Sequence, residues 1–129
     1  MKTENFSLIN KTKGKHPRLP FSEIKKYVLG EPYELGLVFI GDTRSRSLNK
    51  AFRKKDKPTN VLAFPLSQKE GEIFINLRRA KKESRTFEMS YANFVGYLFI
   101  HALLHLKGYE HSSRMEKRER DILKTFNLE

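Results

Sequence analysis

The chain has 129 residues, 38% of them hydrophobic, with ten Phe and no Cys, which allows one domain with a modest core and excludes disulfides and thiolate metal sites. Lys and Arg outnumber Asp and Glu by 26 to 15, a formal charge of +11. A surplus of that size on a small domain favours polyanionic partners, nucleic acid or an anionic membrane surface.

The first apolar run, "NFSLIN", is too short for the centre of a signal peptide. The longest, Phe94 to Leu106, is broken by Gly96 and two histidines and falls short of a membrane span. With no cysteine in the chain, the expectation is a soluble cytoplasmic protein. In chain order, residues 4 to 9 predict a short strand. Phe21, Ile24 and Val28 recur at helical spacing, with Gly30 placed to end that helix. "YELGLVFIG" predicts a buried strand. Asp42 is positioned to cap a helix running to about Lys54, with Leu48, Ala51 and Phe52 inward and Arg44, Arg46, Lys50 and Lys54 outward.

The turn "KDKPTN" leads into a second strand, "VLAFP", which Pro65 ends or confines to a sheet edge. "GEIFIN" predicts a third short strand, and "LRRAKKESR" a basic helix or loop. A long helix spans Met89 to about Lys107, and Ser113-x-x-Glu116 has the form of a capping box opening the last helix. Strands and helices alternate irregularly, with the helices gathered toward the C-terminus. That pattern predicts one α+β domain over residues 1–129, a small mixed sheet of about four strands packed with about five helices.

Within the long helix, "LFIHALLHL" (98–106) is apolar on every side apart from His101 and His105. A helix apolar all round is a buried one, and an unpaired imidazole inside it costs on the order of 1–3 kcal/mol. Residues four apart share a helix face with Cβ atoms about 5–6 Å apart, so both rings can reach one metal ion. Gly108 permits the left-handed turn that stops the helix, and His111 can swing back toward the pair. Three neutral nitrogens from one side leave a fourth tetrahedral position open, the mark of a catalytic zinc site. A lone core histidine is more often simply hydrogen-bonded, but the H-x3-H-x5-H spacing in a chain with four His favours one zinc ion on His101, His105 and His111. His16, in a basic loop before a proline, is expected to be solvent-exposed. The segment also resembles the zinc-peptidase pattern H-E-x-x-H-x-x-G-x-x-H, with Ala102 in place of the glutamate base, which sets peptidase chemistry second.

"HALLHLKGYEH" closely resembles the signature of the YbeY endoribonucleases, bacterial proteins of ribosomal RNA maturation and ribosome quality control. "LNKAFRKKDKPTNVLAFP" (48–65) and "GEIFIN" are similar to that family's other blocks. The resemblance implies an α+β fold, a zinc ion on the three histidines, and metal-assisted hydrolysis of single-stranded RNA. It also implies that Arg53, matching the arginine of a Y/F-R-x-K-D block, acts in catalysis; its planar fork suits binding the phosphate, and Lys55 is a candidate substrate contact by its charge. Ala102 stands where many members have Gly, and Glu110 where Asp is common. Lys50, Lys54, Lys57 and the basic run from Arg78 to Arg85 are candidates for an electrostatic track. Glu110, Glu72 and Asp56 are open candidates for a general base, and Glu110 for orienting an imidazole. The rival readings are a ribosome-assembly factor that binds ribosomal RNA around a structural zinc, and a zinc peptidase.

Overall fold

The computed structural model describes residues 2–3 and 5–129. Among these, the elements are β1 (Lys2–Thr3), β2 (Phe6–Asn10), α1 (Phe21–Leu29), β3 (Glu34–Ile40), α2 (Asp42–Arg53), β4 (Val61–Ser67), β5 (Glu70–Asn76), α3 (Leu77–Thr86), α4 (Tyr91–Lys107) and α5 (Ser113–Thr125). The α+β architecture is as the alternation of elements predicts, with the two-residue β1 added at one edge. The strand expected at 4–9 is found at Phe6–Asn10, and Glu4 lies outside the described residues.

The sheet order is β1-β2-β3-β5-β4. β2, β3 and β5 are parallel, while β1 and β4 pair antiparallel at the two edges. One face carries Phe6, Leu8, Leu35, Leu37, Phe39, Ile73 and Ile75 into the main core, against the apolar sides of α1, α3, α4 and α5. The other face is covered in part by α2, where Val38, Ile40, Leu48 and Leu62 form a second, smaller cluster. β4 continues past Pro65 to Ser67, because an edge strand leaves one side of its backbone outside the ladder, where a missing N–H costs nothing. No helix among the described residues is long and apolar enough to cross a membrane.

α2 corrects the expected inward face. Ser45, Leu48 and Asn49 are buried, while Ala51 and Phe52 are exposed. The helix packs on the backbone of its own following loop, which needs hydrogen-bond partners rather than apolar cover. Ser45 Oγ donates to the Thr59 carbonyl at 2.7 Å and accepts from its N–H at 2.8 Å, and Asn49 Nδ2 donates to the Lys57 carbonyl at 2.9 Å. Two caps also differ. Asp42 is the first residue of α2 and makes no cap hydrogen bond; its Oδ1 accepts instead from Asn76 Nδ2 at 2.8 Å, at the start of α3. Ser112, not Ser113, caps α5, its Oγ accepting from Met115 N–H, so the predicted box does not form.

A candidate metal centre in the cleft between α4, β4 and α2

α4 forms because Ser90 caps it, its Oγ accepting from Asn93 N–H, and because its apolar side chains fill the middle of the main core. It stops at Gly108, whose φ of +108° lies in the left-handed region that favours glycine. The Gly108 and Tyr109 N–H groups donate back to the His105 and Leu104 carbonyls, both at 3.0 Å. This reversal has two effects. It sets the Tyr109 carbonyl 3.1 Å from His105 Nδ1, and it returns His111 over the helix face that carries the other two rings.

The three imidazoles converge. Ring centroids are 4.6 Å apart for His101 and His105, 4.7 Å for His105 and His111, and 5.1 Å for His101 and His111. One nitrogen from each lies within 4.8 Å of the other two. A carbonyl oxygen only accepts, so His105 carries its proton on Nδ1. The Glu119 carboxylate meets His101 Nδ1 in a short hydrogen bond and fixes that ring in the same tautomer. The two Nε2 atoms are left facing each other at 3.1 Å, turned away from Glu119 and the Tyr109 carbonyl. A shared proton or a metal ion between them satisfies both nitrogens at that distance. Two nitrogens on one tetrahedral zinc at about 2.0–2.1 Å each are about 3.3 Å apart, so the donor set fits a single such ion.

Burial, and next the neighbouring His101 ring, hold His105 below the usual histidine pKa. The shift favours the neutral ring, the form that ligates metal. Tyr97, whose ring lies 5.9 Å from that of His101, is pushed up by burial and further by Glu119 and Glu116.

The triad opens on a cleft of about 530 Å³. His101, Ala102 and His105 of α4 form one wall and His111 adjoins them; Thr59 to Phe64 of the loop and β4 form a second wall, and Phe52 and Arg53 at the end of α2 the rim. Arg53 therefore shares the cleft with the histidines. Lys55 is exposed on the following loop and is not among the lining residues. No carboxylate lines the cleft among the described residues. Asp56 pairs with Arg46 at 2.7 Å, Glu72 lines a separate cleft beside Gly36 and Ser7, and Glu110 is exposed next to His111. The acid that holds an imidazole is Glu119, in place of the Glu110 considered from the sequence. It is 5% exposed, on the stripe Met115, Glu119, Ile122 of α5. A lone acid on an apolar helical stripe is the sequence signal that could have found it. His16 is half-buried, its ring stacked on Phe39 at 4.9 Å, rather than solvent-exposed.

A model of the endoribonuclease YbeY family matches residues 13–127. Among curated relatives, the endoribonuclease YbeY of Clostridium botulinum (strain Kyoto / Type A2) is 35% identical, the match covering 82% of this chain and 86% of that protein. The endoribonuclease YbeY of Campylobacter jejuni (strain 81-176) is 35% identical, over 75% and 78% respectively. The solution structure of TM1509 from Thermotoga maritima superposes with a TM-score of 0.66 at 24% identity, covering 92% of this chain and 87% of that one, and shows the shared fold.

Proposed function

The chain belongs to the endoribonuclease YbeY family, and from that premise we propose that it is a zinc-dependent endoribonuclease acting on single-stranded RNA in ribosomal RNA maturation and ribosome quality control. One zinc ion per chain is held by His101, His105 and His111. The observation that carries the metal requirement is the convergence of one nitrogen from each of the three imidazoles, all within 4.8 Å of one another, on an open cleft, with the two α4 Nε2 atoms 3.1 Å apart. When bound, the ion supplies Lewis acidity, which lowers the pKa of a water and polarises a phosphoryl oxygen.

The chain's own residues do the remaining work. Glu119 and the Tyr109 carbonyl fix both α4 rings in the ligating tautomer. Arg53, always charged, offers a planar fork of donors to the scissile phosphate and stabilises the charge that develops on it. Lys55, exposed two residues beyond, attracts the flanking strand. Ala102, buried in the wall of the cleft, has no group that could take a proton, which counts against peptide hydrolysis from this helix.

The test is cleavage of an end-labelled single-stranded RNA by zinc-loaded protein, by chelated protein and by His105→Ala. Cutting should stop on chelation, return with zinc, and be absent from the variant. Full-rate cutting by chelated protein refutes the metal requirement. Zinc-loaded protein that binds the strand but leaves it whole supports the assembly-factor reading.

A further inference from the structure

Phe52 is 68% exposed on the last turn of α2, next to Arg53. Its ring meets Phe64 of β4 at 5.2 Å with a 56° tilt, and Phe64 meets Phe74 of β5 at 5.8 Å and 67°. Phe74 packs in turn on the buried cluster around Val38 and Leu62. These rings form a ladder rooted under α2 and open at its outer end. Phe52 and Phe64 line the same cleft as the three histidines. The fold does not need Phe52 where it stands, since α2 is held by Ser45, Leu48 and Asn49. On the rim of the cleft that holds the three histidines, the exposed ring presents an aromatic face to whatever enters it.

We propose that Phe52, backed by Phe64, is the stacking platform for an unpaired nucleobase flanking the scissile phosphate. The inference rests on the ribonuclease reading and names how the strand is held. Charge selects the occupant: Arg53, Lys54 and Lys55 follow Phe52 directly in the chain and are all exposed, so the ring sits where cations draw in a phosphate backbone. An aromatic face among cations is the combination that binds single strands, each base stacking while its phosphate is neutralised. Stacking accepts any base, so Phe52 contributes affinity and placement rather than a sequence code. A duplex keeps its bases stacked on one another and cannot use the platform, which makes the ring a source of single-strand preference.

The chain contains no Trp, so Phe52→Trp installs a unique fluorophore at the platform. On binding of a short single-stranded RNA, its emission should be strongly quenched. An abasic ribose-phosphate strand of equal length, its binding followed separately by anisotropy of an attached dye, should bind without that quenching. Phe52→Leu keeps apolar bulk but has no ring, and should raise KM for single-stranded RNA about tenfold with zinc content unchanged, while Phe52→Tyr stays close to wild type. Equal quenching by the abasic strand, no quenching at saturation, or a wild-type KM in Phe52→Leu would overturn the platform while leaving the nuclease reading intact. An apolar peptide that quenches where RNA does not would assign the ring to a protein partner and overturn the proposal as well. If neither strand binds the wild-type protein, the ribonuclease reading itself fails, and the platform fails with it.

Discussion

Removing Glu119 tests the geometry of the centre without touching a ligand. The carboxylate is 5% exposed and its partner is His101 Nδ1. Glu119→Ala leaves an N–H donor with nothing to accept it and frees the ring to rotate or change tautomer, either of which takes Nε2 away from the ion. Loss of such a supporting partner typically weakens metal binding about 10- to 100-fold, or ~1.4–2.8 kcal/mol. The independent cost of orphaning a buried donor, about 1–3 kcal/mol, falls in the same range. The His101 side chain is 18% exposed, so water can satisfy part of the loss, which places the expectation at about 10- to 30-fold. Glu119→Gln retains an oxygen that accepts from the same nitrogen and should cost less than about tenfold. The assay is zinc competition against a chromophoric chelator, with thermal unfolding of the metal-free proteins as a check on folding. Glu119→Ala that folds normally and binds zinc within about twofold of wild type would refute the claim that this acid holds the ligand in place.

Arg53→Ala should retain zinc while its cleavage of single-stranded RNA falls about 10²- to 10³-fold; normal turnover removes Arg53 from the mechanism. Gly71→Ala should destabilise the fold by about 1–3 kcal/mol, because the added Cβ would run into Tyr33 Oη and lie 3.1 and 3.2 Å from the Leu106 methyl groups. Among the described residues, Tyr33 Oη is buried without a hydrogen-bond partner, so Tyr33→Phe should be harmless alone and should recover part of the Gly71→Ala loss. Strict additivity in urea denaturation of the four proteins would exclude that clash. The depressed His105 pKa gives a pH dependence. Below about pH 6.5 the unfolded ring takes up a proton that the folded metal-free ring resists, so unfolding gains protons and stability falls as pH drops through that value toward the lower folded pKa. Thermal unfolding of the metal-free protein from about pH 7.5 to about pH 5 should show this loss, and His105→Gln should show less of it; identical profiles count against a buried, neutral His105.

Local sequence was enough for whatever depends on the neighbours along the chain. The shared helix face of His101 and His105 four residues apart, the positive φ at Gly108, and the place of Pro65 on an edge strand are consequences of backbone geometry, and all three are found in the structure. The mixed α+β architecture likewise follows from the order of the elements.

What needed the tertiary structure is contact between residues far apart in the chain. Glu119 lies eighteen residues beyond His101 on another helix, and only the packing of α4 on α5 brings the acid to the ring. The inward face of α2 could not be read from hydrophobicity, because it binds loop backbone through Ser45 and Asn49; an apolar-face rule therefore buried Phe52, which packing leaves on the rim of the cleft. The sequence determined which side chains could hold a metal such as zinc, since the chain has no thiolate and imidazole is its natural nitrogen ligand for such an ion. The folded structure decided which nitrogen of each α4 ring faces the centre, which acid steadies His101, and which aromatic ring stays exposed on the rim of the cleft, because each depends on a hydrogen bond or contact that exists only after the helices have packed.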